Sequence, residues 1–179
     1  PSDYIFLQKP LHLKFYQDKN FSEKVDFFSH SLLNKPYEND PLGEGEGAAV
    51  DADPIYRFDK FDCMTYVETV LAIANSNNKD EIRPNKIKIS YANSQVDYLH
   101  RNHFFETDWV RANADIAQDI TNKLGVEIKY ISGVIDKKSW FAKKNMIFET
   151  DPKNISLSYI DKSVDLGNIA PFLPKISIV

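Results

Sequence analysis

The chain of 179 residues contains a single cysteine, Cys63, and its position in the sequence favours a role as a catalytic nucleophile. Asp62 directly precedes it and is a suitable helix N-cap. A thiol in the first turn of a helix faces unpaired backbone N–H groups and the positive end of the helix dipole, which favour the thiolate. The position therefore predicts a nucleophile, although an isolated cysteine is also commonly a small buried apolar side chain. The helix itself is predicted from apolar residues at i, i+3, i+4 and i+7, namely Val67, Val70, Leu71 and Ala74.

A cysteine hydrolase also needs an imidazole that accepts and returns a proton. His100 and His103 fall in a stretch with strand-like alternation, which places them on opposite faces, and His103 shares its face with Arg101. Among the histidines, His103 is therefore the best candidate partner for Cys63. The alternative for this strand face is an ordinary solvated surface. The four histidines of the chain are His12, His30, His100 and His103.

The composition excludes several classes of function. The net charge is −4 and the basic residues are scattered, so no basic face is available for nucleic acid. No apolar run is long enough to span a membrane, and no signal peptide is visible. One cysteine cannot form an internal disulfide or a multi-cysteine zinc site, and we predict neither a metal nor a cofactor. Because the chain does not begin with methionine, the missing signal does not decide the compartment.

The elements around Cys63 follow from apolar periodicity and from turn residues. Residues 1–20 are predicted to form an extended arm. A helix is expected to begin at Ser22, to bury Val25, Phe28 and Leu32, and to end at Lys35-Pro36. Residues 36–56 form a long acidic and glycine-rich loop that could be one wall of a cleft. This loop lacks the Lys-Ser/Thr of a phosphate loop and the spacing of an EF-hand. Asn75 and the polar residues after it should stop the cysteine helix.

The second half of the chain alternates between predicted strands and helices. Alternation over residues 86–91 and 96–105 predicts a β-hairpin with a turn at residues 92–95. A helix is predicted from Trp109 to about Leu124, with Asp108 as N-cap and Gly125 as C-cap. Further elements are expected as a strand at 126–135, a short helix at 136–144 capped by Asp136, a strand at 155–159 and an unfinished strand at 169–179.

Four segments resemble a branch of the NlpC-type, papain-like cysteine amidases that was long catalogued as a domain of unknown function. The nucleophile segment, residues 53–72, and the Arg-Asn-His segment, residues 101–109, are the most specific of the four. Pro36-Tyr37 with residues 41–45, and residues 136–141, also match the pattern. The resemblance runs from about Phe21 to the end of the chain.

The resemblance implies an α+β, papain-like fold whose nucleophile lies at a helix N-terminus packed on an antiparallel sheet. It implies a bacterial cell-wall hydrolase, periplasmic or secreted, that cleaves the N-acetylmuramoyl-L-alanine amide of muropeptides through a thioester at Cys63. Arg101, His103 and Asp108 would belong to the substrate cleft. The full set of substrate-binding residues expected on this basis is Tyr37, Glu44, Asp62, Thr65, Arg101, Asp108 and Trp109.

One part of the family pattern is missing. The superfamily places its catalytic histidine after the nucleophile, usually in a Ser-His-hydrophobic-Gly strand, and this chain has no such motif. We therefore expect residues 21–179 to be an amidase domain that continues beyond the chain end, unless His103 has a larger role than in relatives. Two other functions stay open: a non-catalytic module that binds muropeptides or a protein, and an effector amidase that acts on an amide outside the wall.

Overall fold

The computed structural model describes residues 18–161 and 163–164. The chain divides into two compact units, residues 1–103 and 104–179, which are described separately. Nearly all of the predicted arm and the whole of the predicted strand at 169–179 lie outside the described residues.

The first unit is built from three helices. Helix α1 spans Phe21–Ser31, α2 spans Cys63–Ala74 and α3 spans Ile82–Ser90. Helix α2 packs against both α1 and α3. Short 3₁₀ turns at Lys79–Glu81 and Ala92–Ser94 precede and follow α3. The apolar core between the helices includes Val25, Phe28, Leu32, Val70, Ile73, Ile82 and Ile89.

Helix α1 carries the predicted apolar stripe, but its N-cap lies two residues before the predicted cap. Its N-cap is Asn20, not Ser22, because the Asn20 side chain accepts the N–H of Glu23 while the Glu23 carboxylate accepts the N–H of Asn20. The prediction that Val25, Phe28 and Leu32 are buried is confirmed. The helix ends at Ser31, before Lys35-Pro36, and residues 36–56 form a loop as predicted.

The prediction of a β-hairpin at residues 86–105 is wrong. Residues 82–90 form α3, and the strand-like pairing is limited to one antiparallel bridge between Tyr91 and Arg101. The alternation of Lys and Ile over residues 86–89 has the period of a strand. In the structure Lys86 is buried together with Ile82 and Ile89, and these three residues have the 4 and 3 spacing of one helix face.

The second unit contains an antiparallel pair of strands joined through a short helix. Strand β1 spans Lys129–Ile135 and β2 spans Lys153–Tyr159, with Ser132 opposite Ser156. A π-helical turn, Phe105–Trp109, leads into a single α-helical turn, α4, at Val110–Ala112, and a 3₁₀ turn follows at Thr121–Lys123. Helix α5, Lys137–Lys143, connects the strands and is capped by Asp136. The two strands and the Asp136-capped helix confirm the predictions for residues 126–159.

The predicted helix from Trp109 to Leu124 is wrong, because helical structure ends at Ala112. The carbonyl oxygen of Trp109 accepts both the backbone N–H of Asn113 at 3.0 Å and the Asn113 side-chain amide at 2.9 Å, and the α-helical conformation ends there. The prediction that Asp108 is an N-cap is also wrong. Its carboxylate accepts the backbone N–H of Phe104, four residues before it, at 3.2 Å. The helix pattern in this segment was therefore a misleading signal.

The combination of helices with a small antiparallel sheet agrees with the expected α+β class. The cysteine helix, however, packs against α1 and α3, whereas the sheet is part of the second unit. Within the part of the chain that the structure describes, no helix is long and apolar enough to cross a membrane.

Candidate active site

Cys63 is the first residue of α2 and its side chain is exposed. The start of the helix is fixed by Asp62, whose Oδ1 accepts the backbone N–H of Thr65 at 2.7 Å and the Thr65 hydroxyl at 2.8 Å. In return, the Thr65 hydroxyl oxygen accepts the backbone N–H of Asp62 at 2.9 Å. These bonds confirm Asp62 as the N-cap and hold the thiol beside the free N–H groups of the first turn.

A pocket of about 150 Å³, lined by both apolar and polar side chains, lies beside the start of α2. The residues on both sides of Cys63, Asp62 and Met64, line it, but Cys63 itself is not a lining residue. Thr65 of α2 also lines the pocket, and so do Arg101 and His103. The structure thus brings four residues of the predicted site to one cavity: Asp62, Thr65, Arg101 and His103.

His103 contacts Tyr98 in two ways. Its Nε2 lies 2.6 Å from the carbonyl oxygen of Tyr98, and the two rings are 4.6 Å apart. Because a carbonyl oxygen can only accept, Nε2 is the donor in this hydrogen bond. The bond holds the ring at the wall of the pocket.

Arg101 is the centre of a cluster of three carboxylates from the loop of residues 36–56. Its Nε and one terminal nitrogen bind Glu44 Oε1 at 2.8 and 2.6 Å, and that same nitrogen binds Asp51 at 2.7 Å. The other terminal nitrogen binds Asp40 at 3.2 Å. The guanidinium also lies 4.9 Å from the centre of the Tyr98 ring. Arg101 therefore ties the loop to the pocket wall.

Burial shapes the protonation of this carboxylate cluster. Desolvation raises the pKa of Glu44, and the charge of Arg101 opposes this rise without cancelling it. Burial also disfavours the charge of Arg101, but its bonds to Asp51 and Glu44 outweigh that effect and raise the pKa of the guanidinium. The second oxygen of Glu44, Oε2, is buried without a hydrogen-bond partner. Glu44 is thus a carboxylate whose charge depends on Arg101.

Two further contacts fix the same loop. The Tyr91 hydroxyl donates to the carbonyl oxygen of Gly43 at 2.9 Å, and burial raises the pKa of that hydroxyl. A side chain at Gly43 would place its Cβ 2.3 Å from Asp51 Oδ1, so only glycine lets Asp51 reach Arg101. Tyr37 pairs through its backbone with Phe61, two residues before Cys63, and its side chain is 72% exposed.

Asp108 and Trp109 lie in the second unit, and both are covered there. Asp108 forms an ion pair with Lys137 at 2.5 Å, and its side chain is 6% exposed. Trp109 is 1% exposed and stacks on Phe105. The structure does not place these two residues among those that line the pocket.

Comparison with known proteins identifies the family. The N-acetylmuramoyl-L-alanine amidase-like family, AmiA-like, matches residues 27–178. The chain belongs to this family. No curated protein matches the sequence significantly.

Two solved structures share the fold of this AmiA-like chain. A protein from Legionella pneumophila, of family DUF1460, superposes with a TM-score of 0.82 at 21% identity, over 97% of this chain and 69% of that one. An N-acetylmuramoyl-L-alanine amidase from Bacteroides uniformis superposes with a TM-score of 0.53 at 23% identity, over 69% of this chain and 52% of that one. The AmiA-like chain therefore spans about half of the Bacteroides protein.

Among the pocket residues that sequence reasoning missed in this AmiA-like chain are three polar residues that form a cluster. Glu68, Lys86 and Ser90 line the pocket and bind one another. The signal that could have found them is helical spacing, since Lys86 lies between Ile82 and Ile89 on a buried face. Within the described ranges, no group of three or more His, Cys, Asp or Glu side chains is arranged to hold a metal ion.

Proposed function

We propose that this AmiA-like chain is the nucleophile-bearing part of an NlpC-type, papain-like cysteine amidase of peptidoglycan. The reaction is hydrolysis of the amide between N-acetylmuramic acid and L-alanine in muropeptides, in an extracytoplasmic compartment. One observation supports the proposal most strongly: the single thiol is exposed on the first residue of a capped helix, and the residues on both sides of it line a pocket. The family assignment supplies the substrate class.

The proposed reaction proceeds in two steps. The Cys63 thiolate attacks the carbonyl carbon, and backbone N–H groups at the start of α2 stabilise the resulting oxyanion. The amine of L-alanine takes up a proton and leaves, so that a thioester remains on Cys63. Water then attacks the thioester, releases the lactyl carboxylic acid and restores the thiol.

His103 is the residue of this chain proposed to move the proton. Its ring lines the pocket, and its Nε2 lies 2.6 Å from the carbonyl oxygen of Tyr98. A histidine from a part of the protein outside this sequence is the rival for the same role. Tyr37, Glu44, Asp62, Thr65 and Arg101 are proposed to form the substrate cleft.

The test is release of stem peptide from muropeptides by the full-length protein, measured by chromatography and mass spectrometry. Cys63→Ala should reduce release to background, with little change in stability because the side chain is exposed. Undiminished release by this variant would exclude Cys63 as the nucleophile. Binding of muropeptides by the wild-type protein without any release would instead identify a binding module.

A pair of histidine variants distinguishes His103 from a histidine outside this sequence as the proton carrier. His103→Ala should abolish release, whereas His100→Ala is the matched control, since His100 binds Asp97 at 2.7 Å and does not line the pocket. Normal release by His103→Ala would assign the role to a histidine outside this chain.

A further inference from the structure

Glu68, Lys86 and Ser90 form a closed hydrogen-bonded cluster at the pocket. The Lys86 ammonium donates to Glu68 Oε2 at 2.5 Å and to Ser90 Oγ at 2.6 Å. The Ser90 hydroxyl donates in turn to Glu68 Oε2 at 2.8 Å. Lys86 is only 2% exposed, yet all three residues line the pocket.

The cluster leaves one donor and one acceptor unused. An ammonium has three N–H groups, and two of those on Lys86 are bound to protein atoms. Both bonds to the carboxylate end on Oε2, so Glu68 Oε1 accepts no hydrogen bond from the residues that the structure describes. A buried ion pair is seldom retained for stability alone, because the loss of hydration offsets much of the attraction. The unused groups therefore point to a ligand.

We propose that Glu68, Lys86 and Ser90 bind a neutral amide group of the substrate and determine specificity for it. This inference rests on the proposed amidase function and assigns part of its substrate to a subsite. An amide offers an oxygen to Lys86 and an N–H to Glu68. A carboxylate entering the pocket would be repelled by Glu68, and an ammonium would be repelled by Lys86, because the pair is already neutral as a whole.

The size of the pocket limits what can enter. Its volume of about 150 Å³ equals that of a protein cavity known to admit benzene, a group of about six heavy atoms. A pocket of this volume can hold an acetamido group or one peptide amide of a larger ligand. Muropeptides contain both, as the acetamido group of the sugar and as the amides of the stem.

The test uses Cys63→Ala protein, so that binding is measured without turnover. Calorimetry gives the Kd of N-acetylmuramoyl-L-alanyl-D-isoglutamine and of two analogues, one lacking the N-acetyl group and one with an ester in place of the second stem amide. We expect one analogue to bind about tenfold more weakly, which identifies the source of the amide.

The double change Glu68→Gln and Lys86→Met should reduce this discrimination to less than about threefold. Both residues are changed together because Lys86→Met alone would leave Glu68 charged and buried. Lys88→Met, on the exposed face of α3, is the control and should preserve the tenfold ratio.

Three results would overturn the inference. In the first, the double variant keeps the tenfold difference in Kd between the muropeptide and its analogue. In the second, neither analogue binds the Cys63→Ala protein more weakly than the muropeptide does. Absence of any muropeptide binding to the Cys63→Ala protein would overturn the subsite together with the proposed function, whereas either of the first two results would remove the subsite alone.

Discussion

Replacing Arg101 by methionine should destabilise the first unit by about 3 kcal/mol at neutral pH. The magnitude follows from Glu44, whose side chain is 4% exposed and loses both of its bonds to the guanidinium. Breaking a buried pair by removing one partner costs about 3–5 kcal/mol. Asp51 and Asp40 are more exposed, at 17% and 49%, and can turn towards water, so the lower end of that range applies.

The loss of unfolding free energy caused by Arg101→Met should become smaller as the pH falls. Burial already raises the pKa of Glu44 above 4.5, and Arg101 opposes the rise, so its removal lets the pKa rise further. A carboxyl with a raised pKa holds a proton in the folded state that the unfolded state has released. Its contribution to stability is therefore present at low pH and is lost as the pH rises through the folded pKa. The difference between variant and wild type should thus be smaller near pH 5 than near pH 7.

Urea denaturation at several pH values measures both effects. Glu44→Gln in the Arg101→Met background should recover at least about 1 kcal/mol, because the unpaired charge is then absent. Arg57→Met is the control: its partner Asp59 is 52% exposed, and the expected cost is below about 1 kcal/mol. A cost for Arg101→Met as small as that of the control, or one that does not change with pH, would refute the reasoning.

Three further changes test individual contacts. Asp62→Ala should lower the free energy of unfolding by about 1 kcal/mol through loss of the cap, and Asp62→Asn should restore most of it. An equal loss for both would assign the effect to charge. Gly43→Ala should cost about 1–3 kcal/mol, because its Cβ displaces Asp51, and unchanged denaturation would show that the loop adapts. Asp108→Ala should cost about 3 kcal/mol by leaving Lys137 unpaired, while the muropeptide Kd stays within about twofold. A tenfold weaker Kd would make Asp108 a substrate contact.

The sequence alone determined the elements whose signals are local. Asp62 caps α2 through bonds within the first turn, and Asp136 caps α5 in the same way. The stop at Asn75 and the apolar stripe of α1 are also encoded by residues a few positions apart. Such signals are legible because capping and helical spacing require no distant partner.

Only the tertiary structure decided what the charged residues do. Lys86 is buried because the carboxylate of Glu68, 18 residues away, neutralises it inside the helical unit. Arg101 looked like a substrate ligand, yet carboxylates 50 to 61 positions away bind most of its donors. A charge is buried only where folding supplies an opposite charge, and the identity of that partner cannot be read from residues nearby in the sequence.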